Sequence, residues 1–97
     1  MYARIITSQT QPGKTDEATR IWNESVVPIL RQQKGFVGAY MVGDRASGKG
    51  VVMTLWESED DARAIDTSGV YQRSIALFAQ VLAGPPTREQ YEVLVKV

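Results

Sequence analysis

The sequence predicts an α+β fold in which helices cover a four-stranded antiparallel sheet, and two observations favour it. Four segments have the length and the apolar content of strands, at residues 2–9, 36–44, 50–57 and from 87 onward. Between them, two longer segments place apolar residues at the i, i+3, i+4, i+7 spacing of one helix face. The resulting order, β-α-β-β-α-β, is that of the ferredoxin-like split βαβ unit.

The first strand and the first helix are separated by a turn. Residues 2–9 form the strand, and the Gln-Pro-Gly sequence at residues 11–13 ends it. From about Lys14 the pattern changes to that of a helix, which Gly35 stops. Because Pro28 has no N–H, the carbonyl of Glu24 loses its helical partner, and we expect either a kink near Glu24 or an early end of the helix.

The second and third strands are joined by a loop that is one residue short of a phosphate-binding P-loop. Residues 43–50 read GDRASGKG, but Gly50 stands where a P-loop needs Ser or Thr after the lysine. A strand follows, whereas a P-loop needs a helix N-terminus to receive the phosphates. We therefore interpret residues 45–49 as a hairpin loop.

An abrupt change from apolar to acidic residues marks the end of the third strand. Residues 51–56 (VVMTLW) are typical of a strand buried on both faces, and Ser58 can then cap a helix that begins at about Glu59. Asp61 can reach back towards Ser58 as a weak capping box. The acidic residues here could suggest a cation site, but their spacing points them in different directions. Their predicted role is to complement the helix dipole.

The last helix and strand are bounded by glycine and proline. Thr-Ser-Gly at residues 67–69 breaks the chain, a second helical face runs over residues 70–82, and Gly-Pro-Pro at residues 84–86 ends it. The last strand, residues 87–97, is predicted to have one solvent-exposed polar face and one apolar face.

The composition of the chain excludes several classes of function but does not identify one. The 97 residues form one predicted domain, residues 1–97, without Cys or His and with a formal net charge of zero. We expect no nucleic-acid partner, because the basic residues are scattered, and no membrane partner, because no apolar run reaches about 20 residues. The N-terminus lacks the pattern of a signal peptide, so we expect a cytoplasmic protein. The expected ligand is small.

The predicted sheet leaves one apolar face uncovered. Strands two and three carry Val, Ala, Met, Leu, Tyr and Trp on both sides, whereas both helices pack on the same face. Monomeric proteins rarely expose more than a few hundred Å² of contiguous apolar surface. We therefore predict a homodimer in which a second copy covers this face.

Three segments carry a family resemblance: GFVGAY at residues 35–40, TLWESEDDARA at residues 54–64 and SGVYQRS at residues 68–74. In this order and spacing they resemble the antibiotic biosynthesis monooxygenase (ABM) family. The resemblance implies a dimeric α/β barrel in which two sheets close face to face, with the last strand contributing to the dimer contact. The family contains cofactor-free oxygenases, haem degraders and proteins without known activity.

Aromatic residues on several elements predict a pocket for a planar ligand between helices and sheet. Polar groups close to them in sequence, among them Arg4, could hold an oxygen of that ligand. The alternative is that these rings are core or interface residues, since small domains use their large residues for packing first. The predicted substrate-binding residues are Trp22, Asn23, Tyr40, Trp56, Tyr71 and Arg73, with Phe36 and Phe78 as further aromatics.

Two functions stay open. The resemblance implies a cofactor-independent monooxygenase acting on a small hydroxylated aromatic, of the quinol or polyketide type, with no cofactor and no metal. The alternative is a non-catalytic dimeric domain that binds a small ligand. No catalytic residue is assigned, since Ser-His and Cys-His chemistry is impossible without His or Cys.

Haem degradation is not expected. The haem-degrading branch carries a Trp and, ten residues later, an iron-ligating His on the helical segment, with an Asn on the first strand. The shared segments place Ile65 and Ile75 at the two helical positions, and the first strand offers Thr7 and Ser8.

Overall fold

The computed structural model describes residues 1–97 and contains one four-stranded antiparallel sheet. The order of strands across the sheet is β2-β3-β1-β4. This strand order, together with the β-α-β-β-α-β order of elements along the chain, is the ferredoxin-like α+β fold, as predicted. The strands are β1 (Tyr2–Gln9), β2 (Phe36–Gly43), β3 (Lys49–Trp56) and β4 (Thr87–Glu92).

The first helical region is continuous but irregular. It comprises α1 (Thr15–Ile21), a π-helical turn (Trp22–Val26) and α2 (Val27–Arg31). The π-helical turn contains Glu24 and ends two residues before Pro28. Because Pro28 has no N–H, the regular helical hydrogen bonding was expected to be interrupted here. The expected irregularity near Glu24 is therefore confirmed, in the form of a π-helical turn.

The acidic helix begins where the sequence predicts it. Helix α3 (Glu59–Thr67) is capped by Ser58, whose Oγ accepts a hydrogen bond from the Asp61 N–H at 3.1 Å. The Asp61 carboxylate lies against Gly35, where an added Cβ would come within 2.1 Å of Oδ2. Gly35 also has a φ of +79°, so both conformation and space require glycine at the end of the first helical region.

The second helical face is shorter than predicted. Helix α4 (Val70–Ala76) ends at Ala76, and turns continue to Val81. These turns close through tight i to i−3 hydrogen bonds, such as the one from the Leu77 N–H to the Ser74 carbonyl at 3.2 Å. The prediction of one helix over residues 70–82 is therefore wrong in its second half.

The last strand is also shorter than predicted, because its neighbour ends. β4 pairs with β1, and the final pair joins Glu92 to Tyr2, the first residue of β1. Beyond this pair, one more backbone hydrogen bond joins the two segments: the Val93 N–H donates to the Met1 carbonyl at 2.9 Å. Residues 93–97 lie outside the strand, and Leu94, Val95 and Val97 are exposed.

A β-bulge in β2 decides which side chains face the helices. Phe36 lies opposite Trp56, but Gly38 lies opposite Leu55, so Val37 is an extra residue on β2. Without this bulge, Tyr40 would share a face with Phe36, four residues earlier. With it, Tyr40 pairs with Met53 and is 63% exposed on the opposite face of the sheet.

The core lies between the helices and the sheet, around Trp56. Its side chain is completely buried and packs edge-on against Phe36, with ring centroids 5.5 Å apart. Around it lie Val26, Leu30, Ala62, Ile65 and Val70. On the other face of β3, Val51, Met53 and Leu55 are only half-buried, so β3 is not buried on both faces within one chain.

The β2–β3 connection is a hairpin loop, as predicted. The Gly48 N–H donates to the Asp44 carbonyl at 2.8 Å, and Gly48 has a φ of +77°. None of the helices in the chain has the length and apolar character that crossing a membrane requires.

Candidate functional site

A cavity of about 460 Å³ lies between the helices and the sheet. Its floor is the helix-facing side of β1 and β3, and its roof comes from the first helical region, α4 and the turns that follow. More than half of the lining residues are hydrophobic, which is typical of small-molecule sites. Ile6, Val52, Met41, Ile75, Phe78 and Leu82 are among its apolar walls.

Four of the predicted binding residues line this cavity. They are Trp22, Asn23, Trp56 and Tyr71. Trp22 and Asn23 are the first two residues of the π-helical turn, and both line the cavity. Asn23 is exposed and lies at the rim.

The other two predicted residues are not part of the cavity. Tyr40 lies on the opposite face of the sheet because of the bulge in β2. Arg73 follows Tyr71 by two residues on α4, a spacing that points it away from the cavity. Its guanidinium is exposed and donates to the Ser68 carbonyl at 3.4 Å. Their placement in an internal pocket is therefore wrong.

Trp56 belongs both to the core and to the cavity wall. Its indole N–H donates to the Thr54 Oγ1 at 2.9 Å, so its one polar atom is satisfied inside the protein. Both side chains are buried and both line the cavity. The indole is therefore held in one orientation and, at 0% exposure, forms the packed layer behind the cavity.

An ion pair lies at the end of the cavity beside Tyr71. Arg4 is 2% exposed, and its guanidinium donates two hydrogen bonds to the Asp66 carboxylate, at 2.9 and 3.0 Å. It also donates to the Ala62 carbonyl at 3.3 Å. Arg88 approaches Asp66 at 3.6 Å and covers the Tyr71 ring, 4.5 Å from its centroid.

The sequence did not identify Asp66 and Arg88 as residues near the cavity, although it contained a sign that Arg4 needs a buried partner. β1 alternates, and the helix-covered face contains Arg4 as a charged residue beside Ile6. A charge on that face requires a buried partner. Only the fold shows that Asp66, at the far end of α3, is that partner.

The charge of Asp66 is fixed by its neighbours. Partial burial alone would raise the pKa of this carboxyl, but the hydrogen bonds from Arg4 and the charges of Arg4 and Arg88 outweigh it and lower the pKa. Asp66 therefore stays ionised at neutral pH and is a weak base.

The cavity wall carries cations but no carboxylate. Arg4, Arg45 and Lys49 line it, and no Asp or Glu does. Arg45, on the hairpin loop, also forms an ion pair with Asp16 of α1, so loop and helix meet at the cavity edge. Since Arg4 and Arg45 are paired with Asp66 and Asp16, the cation left without an ion pair in the wall is Lys49, which favours a neutral or anionic ligand over a cationic one.

One buried polar atom in the wall has no hydrogen-bond partner in the protein. It is the Oγ of Ser74, which is 8% exposed and lies one helical turn after Tyr71. The chain gathers no group of three or more His, Cys, Asp or Glu that could hold a metal ion.

The sequence profile of the antibiotic biosynthesis monooxygenases matches residues 1–77, most of the chain. This chain belongs to the ABM family. An uncharacterized protein of Mycobacterium tuberculosis is 33% identical over 64 residues, which cover 66% of this chain and 27% of that protein. A second uncharacterized M. tuberculosis protein is 27% identical over 93 residues, 96% of this chain and 41% of its own length. The chain thus spans less than half the length of each of these two relatives.

Solved structures with the ABM fold match nearly the whole chain. A monooxygenase from Streptomyces coelicolor, solved with the ligand nanaomycin D, has a TM-score of 0.76 at 18% identity, over 99% of this chain and 89% of that one. A cofactor-independent oxygenase from Streptomyces nogalater has a TM-score of 0.79 at 10% identity, over 99% and 95%. A protein of unknown function from Nitrosomonas europaea reaches 0.80. At these identities the structures confirm the fold.

Proposed function

We propose that this chain is a cofactor-independent monooxygenase that acts, as a homodimer, on a small hydroxylated aromatic of the quinol or polyketide type. The observation that carries the proposal is the cavity, whose walls combine aromatic rings, cations and no carboxylate. Membership of the ABM family supports oxygenation, and the S. nogalater oxygenase is an example on this fold that works without a cofactor. We also propose a cytoplasmic location.

The cavity suits a substrate that ionises before it reacts. An electron-rich hydroxyaromatic that loses a proton becomes an enolate or phenolate, and Lys49, which lines the cavity and forms no ion pair, supplies a cation that would stabilise it. The ring of Tyr71, which is only partly buried, offers a flat surface against which a ring of such a substrate can lie. The protein then contributes binding, orientation and charge stabilisation.

The proposed reaction balances without another reductant. The substrate anion passes one electron to O₂, and the two radicals combine to a peroxide at the activated carbon. Loss of water from that peroxide converts the CH₂ group to a ketone. One oxygen atom is retained in the product and the other leaves as water, and all four electrons come from the substrate.

Oxygen uptake tests this proposal. Purified protein is mixed with anthrone, a naphthoquinol or a flavonol, and oxygen consumption is followed beside product formation by mass spectrometry with ¹⁸O₂. With anthrone, whose ring CH₂ becomes a ketone, we expect one oxygen atom of O₂ in the product, and with at least one member of the panel a rate above the spontaneous one. Absence of acceleration with every member of the panel would contradict the proposed activity.

Two tyrosines provide a matched pair of variants. Tyr71 lines the cavity, and Tyr40 lies on the opposite face of the sheet. If the cavity is the reaction site, Tyr71→Ala should lower kcat/KM at least tenfold by removing the ring against which the substrate lies. Tyr40→Phe should leave it within about twofold, since the hydroxyl that is removed is exposed on the other face of the sheet.

A non-catalytic binding domain remains the alternative, and one observation favours it. The cavity wall contains no carboxylate, and the pKa of Asp66, which is bonded to Arg4 of that wall, is lowered by Arg4 and Arg88, so Asp66 is a poor general base. Tight binding of a hydroxyaromatic without oxygen uptake would favour this second function.

A further inference from the structure

We propose that α1 is a lid over the mouth of the cavity and that the ion pair between Asp16 and Arg45 holds this lid closed. Such a lid controls access to the cavity and not the reaction inside it, so the proposal goes beyond the proposed function. Three features of the structure support it: the place where the cavity opens, a fixed hairpin loop on one side of the opening and a loosely held helix on the other.

The cavity opens to solvent between the first helical region and the β2–β3 hairpin. Most of its lining residues are buried or half-buried, and the exposed ones mark the opening. One of them belongs to the first helical region, and the others belong to the hairpin. The exposed lining residues are Asn23, Val42, Gly43, Arg45 and Lys49. A ligand therefore enters between these two elements.

The hairpin is the fixed side of this mouth. The N–H and the Oγ1 of Thr10 both donate to the Gly48 carbonyl, at 2.8 and 2.5 Å, and tie the loop to the end of β1. Within the loop, the Asp44 carboxylate accepts hydrogen bonds from the Ala46 N–H at 3.0 Å and from the Ser47 Oγ at 3.1 Å. These bonds hold the loop backbone in one conformation at the rim of the cavity.

Helix α1 is the loosely held side. Ala18 is its one buried residue, and no side chain caps its N-terminus. Before it lies Gly13, and a Cβ placed on Gly13 would meet nothing within 4 Å beyond the adjacent residues. After it comes the π-helical turn, where the regular hydrogen bonding of the helix is interrupted. Segments with few buried contacts open at low cost, so α1 can move on the turns at its two ends.

The ion pair between Asp16 and Arg45 joins the two sides of the mouth. It is the one side-chain ion pair or hydrogen bond that connects α1 to another element, since the pairs Lys14–Glu17 and Arg20–Glu24 stay within α1 and the residues beside it. Both of its side chains are mostly exposed, and exposed pairs are weak and are screened by salt. The pair therefore favours the closed position only slightly, and the lid can open at equilibrium.

The accessibility of an introduced thiol tests the lid without any ligand. The chain has no Cys, so Val52→Cys provides a single thiol on the cavity side of β3, at a half-buried position. Its labelling by N-ethylmaleimide, a neutral reagent, is followed at low salt by mass spectrometry. Because labelling follows the open population, Asp16→Asn in this background should speed it by about twofold to fivefold. Ile75→Cys, in the α4 wall, provides a second reporter that should show the same change.

Three further measurements separate the ion pair from a general effect of charge. Arg45→Gln should speed labelling by a similar factor, although it changes the net charge in the opposite direction. Asp16→Lys combined with Arg45→Glu restores a pair of reversed polarity, and its rate should return to within about 1.5-fold of the Val52→Cys chain. NaCl at about 0.5 M should speed labelling of the Val52→Cys chain and leave the rate with Asp16→Asn unchanged, because salt screens the exposed pair.

Two matched controls come from the chain itself. Glu17→Gln removes the same charge from the next residue of α1, but its pair with Lys14 does not cross the mouth, so the labelling rate should stay unchanged. Ala62→Cys places the thiol at a fully buried core position that does not line the cavity. Its labelling requires a wider opening of the fold and should not respond to Asp16→Asn.

An unchanged rate with Asp16→Asn would overturn the proposal, and so would equal acceleration by Glu17→Gln. Failure of the reversed pair to restore the rate would overturn it as well, since the two side chains would then act separately. Faster labelling of Ala62→Cys together with Val52→Cys would show a general loosening of the fold instead of a lid. Because no ligand takes part, an absence of oxygen uptake would count against the proposed function alone.

Discussion

The guanidinium of Arg4 holds the carboxylate of Asp66 through two hydrogen bonds, of 2.9 and 3.0 Å, across 62 residues of sequence. This pair connects the first strand to the end of α3 and sets the charge at one end of the cavity. Since Arg4 is 2% exposed, the partner cannot be removed without leaving a cation in the interior. The pair therefore contributes to the fold and to the site at once.

Asp66→Asn should destabilise the protein by roughly 2–4 kcal/mol, somewhat below the cost of breaking a fully buried pair, because Asp66 is partly exposed. Urea unfolding at pH 7 measures this change. Asp16→Asn is the control, since the Arg45–Asp16 pair is largely exposed at both ends and should be worth under about 1 kcal/mol. Equal losses for the two variants would contradict a special role for the buried pair.

The same pair predicts a pH dependence. The folded protein lowers the pKa of Asp66, so the ionised form is favoured more in the folded state than in the unfolded chain. Its stabilisation is complete above the unfolded pKa, about 3.9, and is lost as the pH falls through the folded value. Below about pH 4, stability should fall less steeply for Asp66→Asn than for the wild-type chain, as measured by urea midpoints.

Trp56→Ala should cost about 3–5 kcal/mol, since the ring is fully buried at the centre of the core and its loss also leaves Thr54 without its indole partner. Trp22→Ala is the matched comparison. Trp22 lines the same cavity but is only partly buried, so its loss should be clearly smaller. Denaturant unfolding of both variants checks this order, and the reverse order would show that Trp56 is not central to the core.

The periodicity of the sequence predicts the elements well but not the faces they present. Trp56, at the end of a regular β3, lies in the core, one of the two positions that the sequence left open for it, whereas the expected burial of β3 on both faces is wrong. Tyr40 does not reach the expected pocket, because a single extra residue at Val37 inverts the alternation of β2 and nothing local in the sequence marks it.

The ends of elements are limited by tertiary partners that a single segment does not reveal. The apolar alternation continues to Val97, but β4 ends at Glu92 because β1 begins at Tyr2. The candidate site shows the same limit. Four of six predicted residues line the cavity, whereas the partners Asp66 and Arg88 and the unpaired Ser74 depend on contacts between distant elements.

Haem should not bind at this cavity. Ile65 and Ile75, at the positions where haem-degrading relatives are expected to carry Trp and His, both line it with hydrocarbon side chains. Among the lining residues only Met41 and Tyr71 carry a group that can ligate haem iron. Titration with haem should give no saturable Soret shift. Ile75→His is the positive control, since the introduced imidazole could ligate the iron and show that the titration detects binding. A saturable one-to-one complex with the wild-type chain would contradict the prediction.

The open face of the sheet predicts how two copies associate. Val51, Met53 and Leu55 are half-buried there, and the aromatic rings of Tyr40 and Tyr91 are more than half exposed. A self-complementary pairing of two such faces should bury upwards of about 2,000 Å², the range of obligate dimers. Sedimentation equilibrium at micromolar concentration should therefore give twice the 10.7 kDa of one chain.

Tyr40→Glu tests which surface forms this dimer. The side chain is exposed in one chain, so the substitution should not harm the fold, but in the dimer it would bury an unpaired charge. We expect it to shift the equilibrium to monomer at micromolar concentration. Leu77→Glu, at an exposed position outside the sheet, should remain dimeric. A monomeric wild-type chain, or dissociation by Leu77→Glu with Tyr40→Glu unaffected, would show that the sheet face is not the interface.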